Sequence, residues 1–267
     1  MRKRTIATSG IVPLLAFLAA ASAAGQEDEA AIRGREIAAE VDRRDRGFGD
    51  YRARMEMILH DREGDETHRE LQVSVLEVAG GVEKSLIFFE SPRDIRGTAL
   101  LTYSHPDREN EQWLYLPALR RTKRIAATGR SSPFMGSEFA YEDLVRTSVD
   151  EYGYRYVGEE PLDGTPCWVI ERYPRYEGTG YTKERLWIDT EEHRVLRVDY
   201  WDLRGRELKR LTLHGHRRYL DRIWRATEAR MDNLRTGQST VLLWHDYRFD
   251  TGLTEDDFDR STLGRGE

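Results

Sequence analysis

Residues 111–146 read EQWLYLPALRRTKRIAATGRSSPFMGSEFAYEDLVR. The first dozen residues alternate in polarity about Pro117, as two short strands joined by a turn would. The remainder is a glycine- and serine-rich connector that nevertheless carries Phe134, Met135, Phe139 and Tyr141. Large apolar side chains in a polar connector require either a core or a ligand.

The alternation extends outward on both sides. It marks strands over residues 51–59, 71–75, 82–90 and 98–103, and again over 154–159, 167–173, 181–189, 195–201, 208–214, 224–232 and 239–249. Turn pairs such as Gly80-Gly81, Asp163-Gly164 and Thr236-Gly237 separate them. Ten to twelve antiparallel strands in series, with few helices, predict a large curved sheet or an incompletely closed barrel. Residues 27–46, rich in Ala, Glu and Arg with Ile32, Ile37 and Val41 near helical spacing, predict one amphipathic helix ending at Gly47. Residues 138–145 predict a short second helix, and Thr254 can cap one further turn.

Arg2, Lys3 and Arg4 precede a short apolar run that ends in Ala21-Ser22-Ala23, the pattern of a secretory signal peptide over residues 1–23. Residues 24–267 are then expected to form one domain, and the protein to work in the periplasm. Charged residues make up 34% of the chain against 39% hydrophobic, so each element must concentrate its apolar side chains on one face to build a core. The net charge of −6, with both signs mixed, speaks against nucleic acid as a partner. Cys167 is the only cysteine, which excludes an intrachain disulfide and reads as a small buried strand residue.

An enzyme needs convergent reactive groups, and the motifs that supply them are missing: no Gly-x-Ser-x-Gly, no His-Glu-x-x-His, no Walker loop. Ser131, Ser132 and Ser137 read as turn residues, and His214 and His216 as polar strand positions. Neither catalytic residues, nor a metal, nor a cofactor is expected.

One helix cannot cover a sheet of this size, so either closure into a barrel or a bound apolar ligand beneath the helix and the 127–147 connector must cover the concave face. Met and aromatic side chains suit such a cavity. The candidates are Met55, Met57, Phe88, Leu100, Trp113, Tyr115, Phe134, Met135, Phe139, Tyr141, Trp187, Tyr200 and Trp244, each of which can equally be ordinary core. Arg120, Arg121, Lys123 and Arg124 are either a solvated sheet edge or contacts to a lipid headgroup or partner at the cavity mouth. Glu138, Glu142 and Asp143 are placed to pair with them and latch the connector as a lid with Gly129 and Gly136 as hinges.

The run from Gln112 to Pro117, the basic block from Arg120 to Ile125 and the Ser-Pro-Phe-Met-Gly-Ser-Glu-Phe-Ala-Tyr-Glu-Asp-Leu segment resemble the outer-membrane lipoprotein-sorting proteins, the LolA-like carriers of bacterial envelopes. Further matching blocks are Ser91-Pro92-Arg93-Asp94-Ile95-Arg96-Gly97, Asp199-Tyr200, Gly205-Arg206-Glu207-Leu208-Lys209 and the Thr240…Tyr247 stretch. The resemblance runs from about Arg35 to Phe258. It implies a mainly β (α+β) fold, a single unclosed half-barrel of about 11 strands with an N-terminal helix and short lid helices. It also implies a monomeric carrier for the acyl chains of a lipid or lipoprotein, with a resistance-nodulation-division type exporter as a candidate membrane partner. The alternative is a periplasmic lipid sensor that regulates a membrane partner.

Overall fold

The computed structural model describes residues 15–263, with the backbone alone for residues 15–27 and for Thr262. Most of the expected signal peptide therefore lies outside the described residues. Helix α1 (Leu15–Arg44) is followed by β1 (Asp50–His60), β2 (Glu66–Val78), β3 (Val82–Ser91), β4 (Ala99–Ser104), β5 (Glu111–Leu116) and β6 (Arg121–Arg124). After an irregular stretch come β7 (Tyr152–Glu159), β8 (Cys167–Pro174), β9 (Tyr181–Asp189), β10 (Val195–Asp202) and β11 (Glu207–His214). The chain closes with β12 (Arg217–Tyr219), β13 (Ile223–Arg225), β14 (Glu228–Asn233) and β15 (Ser239–Phe249).

Thirteen strands form one antiparallel sheet in the order β6-β5-β4-β3-β2-β1-β15-β14-β11-β10-β9-β8-β7. The count slightly exceeds the ten to twelve read from the pattern and the about 11 that the family resemblance implies. The single strand expected over residues 224–232 is in fact two, because β13 leaves the main sheet to pair with β12 in a separate hairpin before β14 begins. The two edges, β6 and β7, do not pair, so the barrel is unclosed.

Residues 125–151 must run from one edge strand to the other, and this fixes their place across the sheet. Tyr141 O accepts from Gln112 on β5 at 3.1 Å, while two residues later Asp143 accepts from Lys209 on β11 at 2.6 Å. Seven strand spacings separate β5 from β11, about 34 Å in a flat sheet. One short turn of chain touches both, so the sheet curls around residues 131–146.

The inner face carries the main core: Met57, Leu71, Phe89, Leu100, Ile170, Ile188 and Met231, joined by Ile37 of α1. Helix α1 approaches β7 so closely that a Cβ on Gly34 would lie 2.9 Å from Arg155 and Tyr156 backbone atoms. The outer face is not bare. The C-terminal tail lays Leu253 and Phe258 over Leu101 and Trp113, and Tyr103 donates to Phe258 O. A second outer patch joins Cys167, Val169 and Trp187.

Candidate functional site: an inner-face cavity beside a latched plug

The expected helix over 138–145 is only a short 3-10 turn, Tyr141–Leu144. Nor is the connector a loose lid. Phe134 is fully buried, its ring 5.7 Å from Phe89 and 5.6 Å from Tyr141, and Phe139 and Tyr141 are buried with it. Met135, at φ 49°, is half-buried beside them and its carbonyl accepts from Arg69 at 2.6 Å. Phe134 thus packs into the inner-face core as the side chain of a plug, where the sequence leads one to expect it on a lid over a ligand.

The acidic residues do latch this segment, but not to the basic strand. Asp143 pairs with Lys209 at 2.6 Å, both side chains being 5% exposed, and accepts from the Tyr181 hydroxyl at 2.9 Å. Glu142 accepts from Gly180 N at 2.8 Å and from the Tyr176 hydroxyl at 3.0 Å, and burial pushes its carboxyl pKa up. Glu138 accepts from Asn233 at 2.7 Å. Gly178, at φ 79°, admits the start of the plug: a Cβ there would sit 1.9 Å from Ala127 O. Arg120, Arg121, Lys123 and Arg124 all remain exposed on or beside edge strand β6. Cationic edges of this kind discourage strand addition by other chains.

Where the plug ends, a cavity of about 590 Å3 opens, within the usual range for ligand sites. Its walls are Val41 and Phe48 from α1 and its exit, Leu144 from the plug, Ile188 from β9, Leu213 from β11 and Trp244 from β15. The β12–β13 hairpin covers it, burying Ile223 in the core and presenting Arg222, Trp224 and Arg225. Aromatic contacts hold the hairpin down, with Tyr219 5.4 Å from Tyr247 and 5.2 Å from Phe249.

The mouth is strongly polar. Arg146 bonds Asp42 at 2.7 Å and Asp45 at 2.8 Å, tying the plug to α1, and Arg225 also binds Asp45. Burial raises the pKa of Glu83, whose main charge partner is Arg146 at 3.4 Å. Arg222 donates to the carbonyls of Arg46 and Gly47. Burial and then the Arg194 charge push His216 down to about 4; burial and the Arg44 charge also depress His193, whose buried Nδ1 has no hydrogen-bond partner. Both imidazoles are therefore neutral at neutral pH. No cluster of three or more His, Cys, Asp or Glu able to hold a metal occurs among the described residues.

Of the residues expected in the cavity, Trp244 lines it. Met55, Met57, Leu100, Phe134, Phe139, Tyr141 and Tyr200 lie in the inner-face core around it, with Met135 packed against them. Phe88, Trp113, Tyr115 and Trp187 point the other way. Their neighbours Ile87, Phe89, Leu114, Leu186 and Ile188 take the inner positions, and strand alternation sends the larger aromatics outward. Side-chain size misled here because the outer face has apolar partners of its own. Val41, Phe48, Leu213 and Trp224 were missed; the alternation through β11 already placed Leu211 and Leu213 on one side.

Several known structures share this fold. An outer membrane lipoprotein-sorting protein domain from Vibrio parahaemolyticus is 44% identical, with 88% of this chain and all of that one covered and a TM-score of 0.86. The chain belongs to the outer-membrane lipoprotein-sorting protein family. A DUF1329 family protein from Desulfovibrio piger is 31% identical over 88% of this chain and 99% of its own, TM-score 0.83. A LolA superfamily protein from Nitrosomonas europaea shares the fold at 20% identity over 85% of this chain and 98% of its own, TM-score 0.68. A family model described as "Uncharacterized protein" matches residues 81–265, and no curated protein matches significantly. The shared fold covers 88% of the chain, and no helix among the described residues is long and apolar enough to cross a membrane.

Proposed function

We propose that this protein is a periplasmic carrier that shelters acyl chains of a lipid or lipoprotein and passes them between envelope partners without covalent chemistry. The observation that carries the reading is the 590 Å3 cavity, with Val41, Leu144, Ile188, Leu213 and Trp244 for walls and a charged mouth. Burying ten methylenes is worth about 8 kcal/mol before association and ordering costs, so capture by such a cavity is reversible. The leader-like residues 1–23 support the periplasmic location. Monomeric action and an exporter of the resistance-nodulation-division type as donor or acceptor complete the proposal, and both rest on the family resemblance.

Native mass spectrometry of protein purified without detergent tests it. A discrete co-purifying lipid or acylated peptide is expected. A bare protein mass that persists after incubation with liposomes would count against it.

A further inference from the structure

Antiparallel register gathers the turns after β1, β3, β5, β8, β10 and β14 at one end of the sheet. Two of them are immediate neighbours, because β11 pairs with both β10 and β14, and Leu234 N donates to Leu208 O at 2.9 Å. At their tips stand Leu203, 67% exposed, and Leu234, 45% exposed; Leu119, 64% exposed, tips the β5–β6 turn at the same end. Each leucine is followed by an arginine, Arg204, Arg235 and Arg120, whereas the nearby Arg206 is committed to Asp202 at 2.7 Å. Scattered exposed leucines are ordinary on a protein surface. Three on the turns of one end, each beside an exposed cation, form a pattern with a direction.

The opposite end is mixed in charge: its turns and the tail that leaves β15 carry Glu160, Asp163, Glu191, Asp256 and Asp257, but its β12–β13 hairpin carries Arg217, Arg218, Arg222 and Arg225. Leucine–arginine tips gathered at one end orient the molecule against a negative, partly apolar surface. A second cavity of about 420 Å3, lined by Ser137, Leu203, Leu208 and Asn233, opens between the β10–β11 turn and the plug at the end that bears these tips.

We propose that the end bearing Leu203 and Leu234 docks on an anionic lipid bilayer, the leucines entering the interfacial layer and Arg204 and Arg235 meeting lipid phosphates. Apolar tips with flanking cations are the side chains that such an interface accepts. Leu119 and Arg120 extend the footprint along the same rim. The acidic β1–β2 turn, with Asp61, Glu63 and Asp65, stands at the same end beside the β14–β15 turn, so the phosphate contacts are those of Arg204 and Arg235. The proposal goes beyond acyl-chain carriage, since docking requires no loaded cavity.

Co-sedimentation with vesicles tests it, using phosphatidylglycerol–phosphatidylethanolamine vesicles and pure phosphatidylcholine vesicles at low and high salt. The full chain is expected to bind the anionic vesicles and to weaken about tenfold as salt rises from ~0.05 to ~0.5 M. The double variant Leu203→Asp, Leu234→Asp should lose at least about tenfold in binding, and Arg204→Glu with Arg235→Glu should abolish the preference for anionic lipid. Leu220→Asp, at an exposed turn of the other end, should leave binding unchanged and serves as the folding and charge control. Absence of binding to anionic vesicles, or equal binding by the double leucine variant, would overturn the docking surface. Uptake of soluble fatty acid measured on the same samples separates that failure from a failure of the carrier reading.

Discussion

The plug and the cavity lie side by side on the same inner face, yet they are built by opposite rules. Around Phe134, Phe139 and Tyr141 the carboxylates of the crossing segment are answered: Asp143 by Lys209 and Tyr181, Glu142 by Gly180 and Tyr176, Glu138 by Asn233. Between α1 and the β12–β13 hairpin the same sheet meets only the end of the plug, Leu144 to Arg146, and apolar walls share open space with arginines and neutral histidines. A half-barrel thus fills one part of its interior with its own chain and leaves another part open. The difference is set by whether the crossing segment brings side chains large enough to reach the sheet.

The comparison breaks most visibly at its buried side. Phe134→Asp places a charge in a fully buried site and removes an aromatic anchor; a loss of about 4 kcal/mol or more, or outright failure to fold, is expected in denaturant titration. Retained stability with lost lipid binding would instead make Phe134 part of the site. Lys209→Met leaves the Asp143 carboxylate without its cation and should cost about 3–5 kcal/mol, with little of it recovered by added ligand. At Gly34, substitution by Ala forces α1 away from β7, and chemical denaturation should report about 1–3 kcal/mol of destabilisation. Trp244→Glu on the open side should reverse this pattern, reducing lipid uptake at least about tenfold while changing stability by less than about 2 kcal/mol.

The smallest effect expected is in pH dependence. Burial pushes the Glu171 carboxyl up, but hydrogen bonds from Tyr173, Lys183 and Arg185 outweigh it and hold its pKa at about 2. A carboxyl depressed in the folded state stabilises above its unfolded value near 4.5 and loses that stabilisation as pH falls toward 2. Buried Glu142 has the opposite sign: raised by burial, it favours folding more as acidification neutralises it. Thermal melts between pH 6 and 3 should therefore show Glu171→Gln less acid-sensitive than the parent and Glu142→Gln flatter near the upper part of that range.

Much of this fold is legible in the sequence because strand alternation is local. The boundaries of β1, β5, β8 and β10 follow directly from it, and the stop of α1 before Gly47, at φ 79°, is written in one residue. The curl of the sheet and the placement of the plug are not local: they follow from β6 and β7 being opposite edges, which no window of sequence contains. The same limit explains the site. Parity separates Leu114 from Trp113 and Ile188 from Trp187, but which parity faces inward depends on coverage by α1 and by the tail residues Leu253 and Phe258, distant in sequence. The family resemblance supplied the half-barrel; it did not distinguish the plug from the cavity.

The most direct test of the cavity is photocrosslinking with a palmitoyl lipid that carries a diazirine on its chain, followed by peptide mapping. The account predicts adducts on residues such as Val41, Leu213, Trp224 and Trp244, and none on Phe134 or Phe139. Adducts concentrated on Phe134 and Phe139, or on outer-face Trp113 and Trp187, would contradict it.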